Sequence, residues 1–250
     1  EMDLGAEGEA LGLFPKQVVA ALRRHLLSFL ESEAGRLASR VAAGRIREGH
    51  GDLHAANICR FAGEWIAFDC IEFRRDFRCL DTAAEVSFLA MDVAAHGCHA
   101  LGEYLLRQAA VAEDDKEMPR LADLYRPHYA AVRAKVAALA ALQSETDEER
   151  DRLVTLARRR VNLALGFIAP PTVVLTCGLP GSGKSVAARA IADALGAAVI
   201  RSDVVRKRLA GMAPTDRSGQ AAGSTLYGEE MNARTLEAMR FLVEEAGDAR

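Results

Sequence analysis

The stretch TVVLTCGLPGSGKS, residues 172–185, decides the fold of the second part of this chain. Its segment GLPGSGKS, residues 178–185, matches the pattern GxxxxGK[ST] at every fixed position. Glycines adopt backbone conformations that are closed to other residues, so successive N–H groups of such a loop can converge on phosphate oxygens. An apolar strand-like run precedes the loop and a helical pattern follows it, which is the context that a phosphate-binding loop requires.

The loop residues have separate expected roles. Lys184 is placed to reach the β- and γ-phosphates of a nucleotide, and the hydroxyl of Ser185 can bind Mg²⁺. The helix that starts here adds its positive N-terminal end. We therefore predict ATP and Mg²⁺ as cofactors. The remaining binding residues of the loop are its small ones: Gly178, Gly181, Ser182 and Gly183.

A second apolar run, AAVIRS at 197–202, precedes Asp203 and a basic helical segment that contains Arg206. Strand, loop, helix, strand and helix in this order predict the opening of a parallel, doubly wound sheet. An Asp at the carboxyl end of a parallel strand points into the ligand crevice, where it could bind Mg²⁺ or accept the proton of an attacking hydroxyl. Asp203 could equally be a simple helix N-cap, because Asp is favoured there.

Taken together, GLPGSGKS and RSDVVRKRLAG resemble the small P-loop kinases of the polynucleotide-kinase, gluconate-kinase and zeta-toxin type. The resemblance implies that Asp203 serves the acceptor hydroxyl and that Arg206 holds the acceptor or its phosphate. A complete domain of this type has about five parallel strands. Only two are predicted between Thr172 and Arg250, so we expect this chain to hold only the N-terminal part of such a domain.

A different phosphoryl-transfer pattern lies earlier, in HGDLHAAN at 50–57 and WIAFD at 65–69. Its spacing is that of a kinase-type catalytic loop, in which Asp52 acts as the catalytic base and Asn57 as a magnesium ligand. Asp69 stands where the second metal-binding carboxylate is needed. A lone Asp in a loop is usually a turn former. The ordered set, with a predicted hairpin between Asn57 and Asp69, is far more specific.

The loop HGDLHAANI, the segment FDCIEF in place of DFG, and the following DFRCLDTAAEVSFLAMD resemble the aminoglycoside phosphotransferase-like family. The resemblance implies that Asp52 is the base, that Asn57 and Asp69 are metal ligands, and that His50 and Glu72 support the site. Kinase-like folds of this kind bind ATP between two lobes. The residues before His50 indicate helix, so we expect the C-terminal lobe alone.

Bland alternatives remain open for the supporting residues. His50 could be a packed loop histidine, and Glu72 could be a surface charge paired with Arg74 or Arg75. His54 is expected to be structural. Two acidic runs, at 113–115 and 147–149, and the basic run at 158–160 are expected to be solvated helix ends or faces.

Apolar spacing after Pro15 predicts one long amphipathic helix that reaches Val41. Two strands, at 57–61 and 65–69, should flank a turn at Ala62-Gly63. Helices then follow almost without interruption, with breaks near Gly97, Met118-Pro119 and Thr146 and a kink at Pro127. We predict an α-rich α/β chain of two domains. Residues 1–168 form a kinase-like C-terminal lobe, and residues 169–250 begin a P-loop domain with a parallel sheet.

The composition excludes several classes. The 250 residues carry a formal net charge of −3 without a basic half, so a nucleic-acid partner is not expected. Five cysteines without a CxxC pair argue against a disulfide framework or a zinc site and favour the cytoplasm. No apolar stretch is long enough for a membrane span, and no obligate protein partner is evident. The chain does not begin with Met and is expected to belong to a longer protein.

The function that these patterns predict is an ATP- and Mg²⁺-dependent phosphotransferase that acts on a hydroxyl of a small-molecule acceptor. Two alternatives remain open. One is a non-enzymatic nucleotide-binding regulator, and the other is a polynucleotide 5′-kinase, which Asp203 and Arg206 suggest but the near-neutral charge opposes.

Overall fold

A computed structural model describes residues 12–170, 172–179, 181–195, 197–216 and 226–248. The chain divides into two compact units. The first comprises the chain up to Pro170 together with Ala190–Ala197, and the second comprises Pro171–Arg189 and the chain from Ala198 onward. Within the described ranges, no helix is long and apolar enough to cross a membrane.

The first unit is built mainly from helices. The helices are α1 (Lys16–Ser32), α2 (Ala34–Ala42), α3 (Thr82–Ala95), α4 (His99–Ala112), α5 (Met118–Leu142) and α6 (Asp147–Ile168). The strands are β1 (Ile46–Glu48), β2 (Ile58–Phe61), β3 (Glu64–Ala67) and β4 (Cys79–Asp81). Two 3₁₀ turns cover Ala55–Asn57 and Arg75–Phe77.

The core of this unit lies where α5 packs along α6, with α1 and α3 against them. Small side chains on α5 let the backbones approach closely, and larger ones from α1 and α3 fill the remaining space. The α5 helix continues through the buried Pro127. The buried residues of this cluster include Leu22, Phe88, Met91, Ala130, Ala134, Ala138, Ala157, Val161 and Ala164.

Two antiparallel strand pairs frame the loop of interest. The β2–β3 hairpin pairs Ile58 with Ala67 and Phe61 with Glu64. Its turn consists of Ala62 and Gly63, which both have positive φ, at 50° and 92°. Positive φ at both central residues is the geometry of the two-residue turn that matches the twist of a hairpin. The predicted turn is thus confirmed, and β1 pairs separately with β4.

The single long helix predicted before residue 42 was wrong. The structure breaks it at Glu33, whose backbone leaves the helical region at φ −107° and ψ 12°. The Glu33 carboxylate is buried and accepts hydrogen bonds from Arg36 at 2.6 Å and from Arg120 of α5 at 2.7 Å. These bonds hold the pKa of Glu33 below its usual value. A contact with a distant helix therefore ends α1, which the local pattern cannot reveal.

Two of the charge runs expected at the surface contribute buried residues. Asp115 is buried and, with Asp81, accepts hydrogen bonds from the buried guanidinium of Arg40. Burial alone would raise the pKa of Asp115, but the bonds from Arg40 bring it below its usual value. Arg160, from the basic run, is also buried and bonds to Asp92 at 2.8 Å.

The second unit contains the first part of α7 (Lys184–Leu195), whose residues from Ala190 belong to the first unit, together with α8 (Ser202–Leu209) and α9 (Glu229–Asp248). The predicted strands at 172–177 and 197–202 do not form in the described residues, which lack regular structure at 172–179 and 197–201. Val173, Val174 and Leu175 are exposed there. A parallel strand depends on neighbouring strands and on covered faces. The chain is therefore helix-rich with small antiparallel sheets, and the expected parallel sheet is absent from the part that the structure describes.

Candidate functional sites

A carboxylate from α3 holds the HGD loop by its backbone. The Oε1 atom of Glu85 accepts hydrogen bonds from the N–H groups of His50 and Gly51, each at 2.7 Å. The fit requires glycine on both sides of His50. A Cβ at Gly49 would lie 2.1 Å from Glu85 Oε2, and a Cβ at Gly51 would lie 2.8 Å from the carbonyl oxygen of Phe77. Gly51 also has φ +82°.

His50 links the two halves of the motif. Its Nδ1 atom lies 3.3 Å from the backbone N–H of Asp52, which can only donate, so Nδ1 is the acceptor. The Nε2–H group then donates to the carbonyl oxygen of Phe68 at 2.8 Å. The residue that follows Phe68 in the chain is Asp69. The ring of His50 thus links the backbone of Asp52 to the residue before Asp69, and its supporting role stays a prediction.

Asn57 lies in the 3₁₀ turn after the loop and is buried. Its Nδ2 atom donates to the carbonyl oxygen of Asp52 at 3.1 Å, which fixes the amide so that Oδ1 is the end able to bind a cation. The start of the turn is held by Asp92 of α3, which accepts from Ala55 N–H at 3.1 Å. Arg160 of α6 binds the other oxygen of Asp92.

Asp69 adopts a left-handed conformation with φ 61°. Few residues other than glycine adopt this region, and Asp is one of those that tolerate it. Asp52 and Asp69 border one open cleft of about 490 Å³, with Cys70, Ile71, Glu72 and Phe73 along the same wall. The structure therefore brings the predicted base and one predicted metal ligand to the same cleft.

The fit to Mg²⁺ depends on oxygen donors. The carboxylate of Asp69 and the Oδ1 of Asn57 are hard oxygen ligands of the kind that Mg²⁺ prefers, and Mg²⁺ normally keeps several waters besides one or two carboxylates. Asp69 lines the cleft, whereas Asn57 is buried and is not among the residues that line it. Among the described residues, no cluster of three or more His, Cys, Asp or Glu side chains is arranged to hold a metal. The donor chemistry suits a magnesium ion bound together with nucleotide phosphates rather than an all-protein cage.

An aromatic column lies beneath the loop. His54 is buried, 3.5 Å from Asp52 Oδ2, with its ring 5.9 Å from that of Phe88. Phe88 stacks on Tyr129 of α5 at 4.5 Å. Burial raises the pKa of Tyr129 to about 12, with smaller contributions from the negative charges of Glu85 and Asp52. His54 is thus a packed residue that also borders the predicted base.

Glu72 is expected from the sequence either to support the site or to form a surface ion pair with Arg74 or Arg75. Glu72 lines the cleft, whereas the neighbouring arginines form their ion pairs with other residues, Arg74 with Asp76 and Arg75 with Glu48. The geometry places Glu72 beside the candidate site rather than in a surface pair.

The P-loop of the second unit owes its shape to glycine. Gly178, Gly181 and Gly183 have φ values of +147°, +79° and +85°. A Cβ at Gly178 would lie 3.1 Å from the hydroxyl of Ser182. The Nζ of Lys184 donates to the carbonyl oxygen of Leu179 at 2.5 Å, and Ser185 is exposed. Pro180 of the motif lies outside the described residues.

Asp203 and Arg206, the residues of this unit predicted to contact the phosphoryl acceptor, are both bonded to other side chains of the chain. Arg201 pairs with both carboxylate oxygens of Asp203, at 3.1 and 2.8 Å. The guanidinium of Arg206 lies over the ring of Tyr227, 4.8 Å from its centroid, and donates to Asn232 Oδ1 at 3.1 Å. The N-cap position of α8 is occupied by Arg201, which makes no side-chain cap bond. Asp203 lies inside the first turn, so it is not the helix N-cap that the sequence left open.

Sequence reasoning missed Glu85, Asp92 and Arg160. Glu85 and Asp92 stand seven residues apart in a mostly apolar segment. Seven residues are two helical turns, so both carboxylates lie on one face of α3. That spacing of acidic residues on a buried helix is the signal that could have found them, because buried charges require partners.

With this geometry in view, comparison with known proteins identifies the class of the second unit. Residues 173–250 match the family model described as "AAA domain". This P-loop domain implies nucleotide binding. The comparisons give no support for an aminoglycoside phosphotransferase-like domain in residues 1–168, and that assignment remains a prediction.

Curated relatives share more of the chain. It is 36% identical over 194 residues to Uncharacterized protein Rv2004c of Mycobacterium tuberculosis (strain ATCC 25618 / H37Rv) and, equally, to Uncharacterized protein Mb2027c of Mycobacterium bovis (strain ATCC BAA-935 / AF2122/97). Each match covers 77% of this chain and 38% of the relative, so the chain matches well under half the length of these relatives. No solved structure matches the chain.

Proposed function

We propose that the protein is an ATP- and Mg²⁺-dependent phosphotransferase in which an aminoglycoside phosphotransferase-like lobe is fused to a P-loop ATP-binding domain. The acceptor is a small molecule with a hydroxyl group. One observation carries the proposal: Asp52 and Asp69 border the same cleft, while Glu85 holds the backbone just before Asp52 and His50 bonds to Asp52 N–H and to the Phe68 carbonyl oxygen.

In the first unit, Asp52 takes the proton from the acceptor hydroxyl. The bond from Asn57 Nδ2 to the Asp52 carbonyl holds the loop in place, and the amide oxygen of Asn57 and the carboxylate of Asp69 hold Mg²⁺. Magnesium, when bound, neutralises charge on the nucleotide phosphates. The remaining contribution is positioning, which Glu85 and His50 supply through the backbone.

In the second unit, Lys184 and the loop N–H groups hold the nucleotide phosphates, and Ser185 binds the metal. Lys184 must then exchange the carbonyl oxygen of Leu179 for phosphate oxygens. Asp203 accepts the proton of the hydroxyl group of the molecule phosphorylated at this second site. Its carboxylate must therefore either leave Arg201 or bind Arg201 and the acceptor hydroxyl at the same time.

The partner and compartment follow from the same chemistry. The net charge of −3 opposes a nucleic-acid acceptor, so we propose a small molecule instead. We also propose a cytoplasmic location, where ATP is available and cysteines stay reduced.

The test is transfer of labelled γ-phosphate by the full-length protein, with the variants Asp52→Asn and Lys184→Ala. Asp52→Asn should lower transfer through the first site by about 100-fold or more while nucleotide affinity stays unchanged, because a general base contributes about 10²–10⁴. Lys184→Ala should instead weaken nucleotide binding at the second site. If neither variant lowers transfer at saturating nucleotide, the protein is a nucleotide-binding regulator and the proposal fails.

A polynucleotide 5′-kinase is the other outcome of this assay. Labelled oligonucleotides are offered beside small alcohols and sugars. Selective labelling of the oligonucleotides would replace the small-molecule proposal.

A further inference from the structure

The cleft that holds Asp52 and Asp69 has an unusual outer edge. Phe73 lines this cleft, and Arg74, Arg75 and Phe77 follow it along the chain without lining the cleft themselves. We call these four residues the aromatic–arginine rim. Phe73 is 83% exposed. An exposed phenyl group at the mouth of a cleft is more informative than one scattered on a surface, because ligand sites combine apolar walls with a few charged groups.

The rim is ordered by its own contacts. The rings of Phe73 and Phe77 meet edge to face, with centroids 6.3 Å apart. The guanidinium of Arg74 lies over the ring of Phe77 at 4.7 Å. Such a stack orients the planar guanidinium and leaves its edge able to donate to an anion. The 3₁₀ turn Arg75–Phe77 fixes the spacing of the group.

The two arginines are only weakly neutralised. Arg74 lies 3.8 Å from Asp76, whose side chain is 84% exposed, and Arg75 lies 3.8 Å from Glu48. Glu48 already binds Arg78 at 2.6 Å, so one carboxylate serves two arginines. Ion pairs this long and this exposed contribute little, and a ligand anion can compete with them. The acidic groups facing the cleft are Asp52, Asp69 and Glu72, of which the first two have assigned roles.

We infer that the acceptor of the first unit is an anionic small molecule with an apolar, planar portion. Its carboxylate or phosphate binds Arg74 and Arg75, its flat portion lies against Phe73, and its hydroxyl reaches Asp52. The inference rests on the proposed function and narrows its substrate class.

Binding of four ring-matched probes to the full-length protein tests this inference directly. Phenyl phosphate, phenylacetate, benzyl alcohol and benzylamine share one ring and differ in charge. Ligand-observed NMR titrations give their dissociation constants, in the presence of Mg²⁺ and in a Lys184→Ala background that removes phosphate binding at the P-loop. The two anions should bind about tenfold more tightly than the alcohol and the amine, since charge-assisted bonds to arginine are roughly twice as strong as neutral ones.

Three variants locate the effect. The double variant Arg74→Gln/Arg75→Gln should abolish the preference for anions, whereas Phe73→Ala should weaken all four probes alike. The matched control Arg23→Gln alters an exposed arginine of α1 that does not line the cleft, and it should change nothing. Phenyl phosphate against phenylacetate tells which anion the rim prefers.

The outcomes separate the inference from the function on which it rests. A preference for anions that survives in the double variant overturns the inference, and so does equal or tighter binding of benzylamine or the absence of any selective binding. If only oligonucleotides or phosphopeptides bind the rim, the small-molecule class is wrong. Loss of transfer in Asp52→Asn together with any of these results leaves the phosphotransferase standing and removes the anionic acceptor alone.

Discussion

The two phosphate-related motifs differ in what holds them. The HGD loop is fixed by side chains that come from far along the chain, with Glu85 and Asp92 binding its backbone N–H groups. The P-loop makes its bonds within itself, as Lys184 does with Leu179, and its shape follows from glycines. The first motif therefore depends on a folded scaffold, while the second carries its geometry in its own residues.

This difference explains why the two motifs are recognised so unequally. A loop whose geometry is local must keep its own residue types, so its sequence pattern is specific. A loop held from outside can vary in sequence as long as its supports remain. Substitutions in the supports should therefore damage the first unit at a distance, and substitutions in the P-loop should act only where they are made.

The largest expected effect comes from removing a support that never touches the loop. Arg40→Leu leaves the buried carboxylates of Asp81 and Asp115 without their cation. Asp81 also caps α3 by accepting from Ala83 N–H at 2.8 Å, so the helix that carries Glu85 loosens as well. We expect the free energy of unfolding of the first unit to fall by about 3–5 kcal/mol.

Urea denaturation followed by the fluorescence of Trp65, the single tryptophan of the chain, measures this loss. Arg36→Leu is the matched control, because its side chain is 32% exposed and solvent weakens its ion pairs, so its loss should be clearly smaller than that of Arg40. An equal loss in both variants would show that the buried triad does not support α3.

The second largest effect is expected from Glu85, which binds the HGD loop directly. Glu85→Ala leaves the N–H groups of His50 and Gly51 without their acceptor, and a loop displaced by a fraction of an ångström should lower phosphoryl transfer by about 10–100-fold. Glu85→Gln keeps an acceptor oxygen and should recover most of the rate.

Kinetics distinguish positioning from a general loss of folding. The change should fall on kcat while the KM for ATP stays within a factor of about two, because the effect acts on the reacting geometry. Glu148→Gln, on the exposed face of α6, serves as the control. A rise in KM with unchanged kcat would contradict a role for Glu85 at the reacting groups.

A smaller and strictly local effect is expected in the P-loop. Gly178→Ala introduces a Cβ 3.1 Å from the Ser182 hydroxyl at a φ of +147°, where side chains are strained. Strain of this kind costs about 1–3 kcal/mol, so nucleotide affinity measured by calorimetry should fall by about tenfold. The unfolding transition reported by Trp65 should not move.

Gly35→Ala is the comparison for this variant, since a Cβ there meets nothing within 4 Å. It should leave nucleotide affinity unchanged. If Gly178→Ala shifts the Trp65 transition instead of the affinity, the P-loop is not self-contained.

The smallest expected effect concerns pH. Burial lowers the pKa of His128 below its ordinary value of 6.5, so the folded protein resists a proton that the unfolded chain binds. The contribution of His128 to stability is therefore complete above pH 6.5 and is lost as the pH falls toward the folded pKa. His128→Gln should flatten the dependence of the unfolding free energy on pH in this window.

The same measurement on His96→Gln gives the reference, because the His96 side chain is 63% exposed. If both variants flatten the curve alike, burial of His128 is not its cause. Asp115 acts in a separate window, since its lowered pKa makes its contribution fade only as the pH falls below its ordinary value of 3.8.

Local signals gave the sequence prediction its successes. Ala62-Gly63 forms the predicted turn, and Thr146 ends the preceding loop by capping α6 with a bond from Glu149 N–H. Both features depend on residues within a few positions of one another. The prediction that Asp52 and Asp69 act together also uses a short-range signal, because a hairpin lies between them, and it stays a prediction.

The failures involve partners that lie far apart in the chain. Asp115 and Arg160 read as solvent-facing charges because nothing near them in sequence indicates Arg40 or Asp92. Residues 172–177 have the composition of a strand, yet a strand also needs neighbours that the residues themselves do not specify. The type of a side chain indicates which groups it can bind, but only the folded structure shows which group lies within bonding distance of it.

The β2–β3 hairpin sets the position of Asp69 relative to Asn57. Phe68 N–H bonds to the carbonyl oxygen of Asn57, so the pairing continues from the turn to Asn57 and to the residue before Asp69. Asn57 and Asp69 are the two residues proposed to bind Mg²⁺. Adding or deleting one residue would slip one strand against the other and carry Asp69 to the opposite face. Relatives of this chain can therefore change the length of the segment only in steps of two residues, one from each strand. Any working variant should keep an odd number of residues between Asn57 and Asp69, as in this chain, where the segment 58–68 holds 11 residues.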